Sequence, residues 1–459
     1  MPPAFIENPV LRGFNPDPSF LRVGDDYYLA TSTFEWWPGV QIHHSRDLVH
    51  WRLLTHALTR QSQLDLTGNP DSGGIWAPDL SYAHGQFYLL YTDVKSWVGP
   101  YKDTPNYLVT APTIEGPWSD PVLLNRSGFD PSLFHAADGR IWLLNQLWDH
   151  RPGRNAFAGI VLQEYSAAER RLFGPVRHIF SGTALGCTEG PHVYQHGGYF
   201  YLLTAEGGTE YKHAATLARS RELFGPYEVM PGGPLLTSAS DPTLPLQKAG
   251  HGSLVETTTG EWFLAHLCGR PLPGTRTCNL GRETALQRCV WTDDGWLRLA
   301  HGGPHPALHV PAPALAPHPF PPAPARDDFD LPTLDLHFAT LRRVPAESWL
   351  SLRARPGYLR LLGGESLCSR HAQSLVARRL QSFQAEAATC LEFSPTTFQQ
   401  MAGLVAFYDV NNWFYLRLSH DEFLGKSLRV VRCEKGAYAE LDDHDLPVAG
   451  WPRIHLRAR

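Results

Sequence analysis

One phrase recurs five times along this chain, and the repetition restricts its fold more than any other feature. Each copy is a glycine turn followed by an aromatic-rich strand: GDDYYLA from Gly24, GQFYLLYT from Gly85, GRIWLLNQ from Gly139, GYFYLLTAE from Gly198 and GEWFLAH from Gly260. Their glycines are separated by 61, 54, 59 and 62 residues. A second phrase falls between them: EGPW at 115–118, FGPV at 173–176 and FGPY at 224–227. A repeat of about 60 residues holding several short strands suits a propeller blade. Five copies therefore predict an all-β chain whose residues 1–303 form a five-bladed β-propeller.

The composition agrees with that architecture. The 40 Gly and 39 Pro supply many turns, and the 14 Trp, 17 Tyr and 22 Phe are suited to packing strands or stacking on sugar rings. At 459 residues the chain should hold one large domain and a smaller one. A proline-rich stretch, GGPHPALHVPAPALAPHPFPPAPA, covers 302–325, and 304–325 is expected to be an extended, semi-rigid connector. Beyond it, SWLSLRA, GYLRLLG, AATCLEF, AGLVAFY, NWFYLRLS and SLRVVRCE alternate as antiparallel strands do. Residues 326–459 are expected to form a β-sandwich, incomplete at its C-terminus because the last segment, IHLRAR, itself reads as a strand.

Each repeat also begins with a strand before its glycine. Asp130, Glu189 and His251 lie nine residues before Gly139, Gly198 and Gly260, and Trp76 lies nine before Gly85. Asp17 holds the matching place before Gly24 with a turn two residues shorter. Innermost propeller strands line the axis, so equivalent positions should converge on one mouth of the channel. That reading gathers Asp17, Asp130, Glu189 and His251. Two carboxyls across a cleft, one protonated and one ionised, are the minimum equipment for glycoside hydrolysis; a third can hold the acid's pKa. A lone Asp-Pro commonly only stabilises a turn, but two at matching positions, with a Glu-Gly-Pro at a third, point to chemistry. His251 could orient a carboxylate, bind substrate, or hold a cation through water.

Other classes are disfavoured. The net charge of −5 argues against nucleic acid. No apolar run is long enough to span a bilayer, and MPPAFIENPVLRGF is unlike a secretory signal. Seven cysteines without a CxxC pair argue against a disulfide framework or structural zinc and fit a cytoplasmic protein.

The phrases FNPDPSFLRVGDDYYLATSTFEWWPGVQIHHSRDLVHW (14–51), GGIWAPDLSY (73–82), FDPSLF (129–134), CTEGPHVY (187–194), AEGGTEYKHA (205–214), GHGSLVET (250–257) and LGRETALQ (280–287) resemble the β-xylosidases of glycoside hydrolase family 43. The resemblance implies a five-bladed propeller carrying a β-sandwich, and hydrolysis with inversion. It implies Asp17 as general base, Asp130 as the residue tuning the acid, and Glu189 as general acid. Phe34, Trp76 and Trp148 match aromatic walls of the terminal sugar subsite, and Arg282 matches an arginine holding sugar hydroxyls. Relatives usually carry a longer second domain whose late loop closes the pocket, and this chain is expected to stop short of it.

The expected function is exo-acting release of xylose from non-reducing ends of β-1,4-xylo-oligosaccharides. No cofactor is required; a Ca2+ ion near the axis is left open, as is a homo-oligomer. An α-L-arabinofuranosidase, alone or combined with the first activity, is the nearest alternative, and a sucrose- or fructan-acting propeller a more distant one. A propeller that only binds carbohydrate is the non-enzyme alternative.

Overall fold

The computed structural model describes residues 5–441 and 445–459. Five antiparallel sheets follow one another in chain order, four of them four-stranded and the fourth five-stranded, with Leu236–Thr237 added beside Ala214–Ser220. The first is Ser19–Val23, Asp26–Thr31, Gly39–Ser45 and Arg52–Leu58, and the next three begin with Gly74–Ala83, Ser132–His135 and Glu189–His196. The last begins with Gln247–Glu256 and ends with Leu297–Leu299. The second strand of each sheet is one of the five repeated phrases: Asp26–Thr31, Gln86–Val94, Ile141–Trp148, Tyr199–Glu206 and Trp262–Gly269. Apolar clusters fill the spaces between neighbouring blades. Phe134, Trp142, Leu144 and Leu162 of the third blade pack with Leu202 and Ala218 of the fourth.

A belt of side-chain bonds joins the innermost strands. Ser19 Oγ accepts the Leu80 N–H at 2.9 Å, Asp79 Oδ2 accepts that of Leu133 at 2.9 Å, and Ser253 Oγ accepts that of Phe20 at 3.0 Å. Between the fourth and fifth blades the Tyr194 hydroxyl accepts the Leu254 N–H at 2.8 Å, and the Ser132 hydroxyl donates to the Pro191 carbonyl across the third and fourth. All five blade junctions are thus hydrogen-bonded at the axis, where an unpaired buried polar group would be costly. Ring closure has a further tie. Residues 8–15 run along the fifth blade: Asn8 bonds Leu286, Leu11 bridges Thr284, and the Asn15 N–H donates to the Arg282 carbonyl at 2.8 Å. This run delivers Asp17 beside Arg282.

The proline-rich stretch differs from the expected connector. Compact unit one comprises Met1–Asp65, Ser72–Ala325 and Arg379–Gln381, so it includes all of 304–325. His309–Pro311 pairs with Phe5–Glu7, the His318 N–H donates to Asp47, and Phe320 lies under the Arg52 guanidinium. Proline's missing N–H does not prevent such a strap from being bound through its carbonyls and remaining amides.

Unit two comprises Leu66–Asp71, Arg326–Arg378 and Ser382–Arg459. Its main sheet is a meander of Ala402–Asp409, Asn412–Asp421, Gly425–Glu434 and Ala437–Glu440. Ala387–Leu391 pairs with Ile454–Ala458; Leu418, Val448, Ile454 and Leu456 form one buried cluster of this unit, and Trp413, Val431 and Cys433 another. The segments SWLSLRA and GYLRLLG contribute only the short pair Leu350–Ser351 and Arg360–Leu361. The small segment 66–71 is held by Arg342, whose fully buried guanidinium donates to the Asn69 carbonyl and to Asp71.

Candidate active site

The site is assembled where the innermost strands begin. Asp17 and Asp130 each sit two residues before a belt serine, and His251 does the same before Ser253. All three adopt a left-handed backbone, with φ of 56°, 54° and 48°. For a residue with a Cβ this conformation costs roughly 1–2 kcal/mol, and such strain persists only where surrounding structure enforces it. The fourth blade differs. There the left-handed position belongs to Gly190 (φ 56°), two residues before His192, and Glu189 precedes it by one. The nine-residue count equated Glu189 with Asp130, but the hairpins differ. In the fourth blade His196 pairs with Tyr199 across a tight turn, whereas His135 pairs with Ile141 in the third and Glu256 with Trp262 in the fifth. Glu189 instead matches Trp76: both precede a register shift, three residues before the belt positions His192 and Asp79.

The four groups nevertheless meet. Asp17 is buried; its Oδ2 accepts the Ser32 hydroxyl at 2.7 Å, and its Oδ1 faces Arg282 Nη1 at 3.4 Å and His251 Nδ1 at 4.0 Å. Asp130 is buried and accepts the Gly190 N–H at 3.1 Å, which ties it to the residue beside Glu189. The His251 ring packs against the Gly190 backbone: a Cβ at 190 would lie 2.9 Å from its Cε1. That contact explains the glycine of TEGPH.

Burial is the main cause of the unusual protonation here. It pushes Glu189 up to about 8; the Asp17 charge adds to the rise, while Arg282 and Lys102 oppose it. It also raises Asp130, helped by the charges of Glu189 and Asp17 and opposed by the Gly190 N–H and Arg282. Two such carboxyls titrate as a pair. The Gly190 amide favours the anion on Asp130 and so opposes part of its rise. Burial lowers the pKa of His251, so the ring is neutral near pH 7; Asp17 opposes that effect.

Phe34 adjoins this cluster at Arg282, and Trp76 and Trp148 meet Phe129, the residue before Asp130. Phe34 (φ 54°) is held by two backbone bonds to Ile75, each 3.1 Å, and its ring centroid lies 5.3 Å from the Arg282 guanidinium. Trp76 follows Ile75 and meets Phe129 edge-on at 5.4 Å; Phe129 in turn lies 6.2 Å from Trp148. Lys102 stands 4.3 Å above the Trp148 ring and donates to the Trp97 carbonyl. Ser32, Lys102, Phe129, Gly190 and Thr209, which faces Arg282 Nη2 at 3.5 Å, were not singled out from the sequence. Ser32 had a signal, since STF follows the strand that pairs with the one after Asp17. Lys102 had none, because it lies in an irregular loop.

Among the described residues, no group of three or more His, Cys, Asp or Glu could hold a metal ion. Calcium takes six to eight oxygens; beside His251 stand one carboxylate, already bonded to Ser32, and a guanidinium. This set does not form a calcium cage.

Residues 6–297 match the family described as glycosyl hydrolases family 43, and residues 326–459 match the β-xylosidase C-terminal concanavalin A-like domain. The chain belongs to glycoside hydrolase family 43. This family 43 chain is 54% identical to a β-xylosidase of Bacillus subtilis (strain 168), over 95% of its own length and 83% of the relative's. A xylan 1,3-β-xylosidase of a Vibrio species is 49% identical, over 98% and 86%. A non-reducing end α-L-arabinofuranosidase of Bacteroides ovatus is 37% identical, over 97% and 81%. The crystal structure of a xylan β-1,4-xylosidase from Bacillus halodurans C-125 superposes with a TM-score of 0.97 at 60% identity, covering 98% of this chain and 86% of that one. The family 43 architecture is a five-bladed propeller, as the repeats predict, with a C-terminal β-sandwich, as the alternating segments after residue 326 predict.

Proposed function

We propose that this chain is an exo-acting β-xylosidase that cleaves β-1,4-xylo-oligosaccharides from the non-reducing end with inversion. The observation that carries the reading is the division of labour among three converging carboxyls. Burial pushes the pKa of Glu189 up to about 8, which suits a proton donor, while Asp17 accepts hydrogen bonds from Ser32 and Arg282. In the proposed reaction, Asp17 takes a proton from water as that water attacks the anomeric carbon. Glu189 gives its proton to the departing glycosidic oxygen. Asp130, through its charge and the Gly190 amide, keeps Glu189 protonated and aimed. Arg282 would hold sugar hydroxyls beside Phe34, with Trp76 and Trp148 as further walls.

Inversion requires room for a water, so the reactive carboxyls of Asp17 and Glu189 should stand roughly 6.5–9.5 Å apart. Relatives at 54% and 49% identity are named xylosidases, one at 53% is named a xylosidase/arabinosidase and the arabinofuranosidase stands at 37%, which supports xylose as the main sugar released. The two xylosidase names differ in linkage, 1,3 against 1,4; the 60% identity supports 1,4. Incubation with β-1,4-xylobiose, β-1,3-xylobiose and an aryl α-L-arabinofuranoside, with xylose and arabinose quantified, tests the reading. Fastest turnover of the 1,4-linked disaccharide is expected. Faster release from either other substrate would reassign the specificity.

A further inference from the structure

We propose that Arg379 is a positioning residue for the sugar pocket, fixing the Phe34 wall through the Phe14 ring and the Thr33 carbonyl. The inference rests on Phe34 lining that pocket. Residues 379–381 are part of unit one, although 378 and 382 belong to unit two. The Arg379 guanidinium lies 4.6 Å from the centroid of Phe14 and 4.9 Å from that of Trp36, so one planar cation serves two rings. Its Nη2 also donates to the Thr33 carbonyl at 3.5 Å, an oxygen that accepts the Trp36 N–H as well.

These contacts bear on a strained turn. Phe34 is bulky and left-handed, a conformation that neighbours must impose. Ile75 holds its backbone on one side. On the other, the Thr33 hydroxyl accepts the Val40 N–H, and Arg379 grips the Thr33 carbonyl. The ring is fixed by Phe14, which meets it edge-on at 4.9 Å and 70°. Phe14 has little freedom of its own. A Cβ on Gly281 would approach its Cδ2 to 2.7 Å, so that ring is closed in by the backbone beside Arg282 and by Arg379. Loosening Arg379 therefore frees Phe14 and the 33–36 turn together, and Phe34 follows. Arg379's contacts are with the wall, and the carboxyls keep their own partners. Its loss should weaken sugar binding in ground and transition states alike, which raises KM and spares kcat.

The test compares wild type, Arg379→Met, Arg379→Lys, Phe14→Leu and the Phe14→Leu/Arg379→Met double variant. For each, KM and kcat on an aryl β-xyloside, the inhibition constant of xylose and the Tm are measured. Arg379→Met should raise KM and the xylose inhibition constant together, by about five- to tenfold, with kcat within about twofold. Arg379→Lys, which keeps the charge but loses the planar stack, should shift both by about two- to fourfold. In the Phe14→Leu background Arg379→Met should add less than about twofold, because the two act in series. Unchanged KM and inhibition constants in the folded Lys variant would overturn the inference, as would full additivity in the double variant. A wild type that neither binds xylose nor releases it would instead overturn the reading of the pocket itself.

Discussion

The Oδ2 of Asp130 accepts the backbone N–H of Gly190 at 3.1 Å, and through that bond a buried carboxyl of the third blade is joined to the residue following Glu189 in the fourth. Asp130→Asn can keep an oxygen at this bond but loses the charge. Asp130 and Glu189 titrate as a pair, and the like-charge repulsion that raises the second ionisation of the pair is gone when residue 130 cannot ionise. The basic limb of kcat/KM should move down by about one pH unit, and kcat should fall by tenfold or more, on the order of a weakened general acid. A pH–rate profile checks this, and an unmoved limb contradicts the role given to Asp130.

The two reacting carboxyls should be separable by leaving group. Asp17→Ala is expected to lose on the order of 10³-fold or more on every substrate, because the attacking water always needs a base. Glu189→Ala should lose much less on aryl xylosides with acidic phenols than on xylobiose, since a good leaving group needs little protonation. Steady-state rates across a series of phenols decide it. Equal losses along the series would reject Glu189 as the acid.

Glu189 also links stability to pH. Its folded-state pKa is raised to about 8 from an ordinary 4.5, so between those values the folded protein binds a proton that the unfolded chain has released. The corresponding stability is fully present below the unfolded value and is lost as pH rises through about 8. Glu189→Gln removes the burden of burying an anion. It should raise Tm by at least about 2 °C at pH 9 and by less at pH 5. Thermal melts at the two pH values test this; a benefit confined to acid pH would contradict the sign. In the active enzyme the same proton sets the basic limb of kcat/KM near pH 8.

At Gly190 the constraint is steric. A Cβ would lie within 3.2 Å of three atoms of the His251 ring, on a backbone at φ 56°. Gly190→Ala should cost about 1–2 kcal/mol of stability. It should also displace His251 and Asp130's partner amide, lowering kcat with the protein still folded. Denaturant titration and kinetics together check both effects.

The belt makes the opposite prediction. Ser253 Oγ accepts the Phe20 N–H at 3.0 Å and meets the Tyr194 hydroxyl at 3.3 Å, so its partners are an amide and a phenol rather than the reacting carboxyls. Ser253→Ala leaves that amide unpaired and should destabilise by about 1–3 kcal/mol. The kinetic constants of the folded fraction should stay within about twofold. A large kinetic effect would mean that the belt also sets the geometry of the site.

What the sequence disclosed follows from how each residue earns its place. The repeated strands and the Asp-Pro turns at Asp17 and Asp130 were legible because strand alternation and left-handed turns leave local marks. The convergence of Asp17, Asp130, Glu189 and His251 followed from the period alone. The position of Glu189 within its blade was read one residue out, because a tight hairpin at Gly197–Gly198 shortens the fourth repeat without changing its spacing. The prolines of 304–325 suggested a connector, and the tie to Phe5–Glu7 is a long-range pairing that composition does not report. Lys102 and Arg379 were invisible for the same reason: each is placed by loops whose course depends on tertiary contacts.

The central claim is that water attacks the anomeric carbon directly, with Asp17 as base and Glu189 as acid. Proton NMR of a fresh digest of β-1,4-xylobiose measures it most directly. The account predicts that the xylose released from the non-reducing end appears first as the α-anomer and then mutarotates. First appearance of the β-anomer would contradict it.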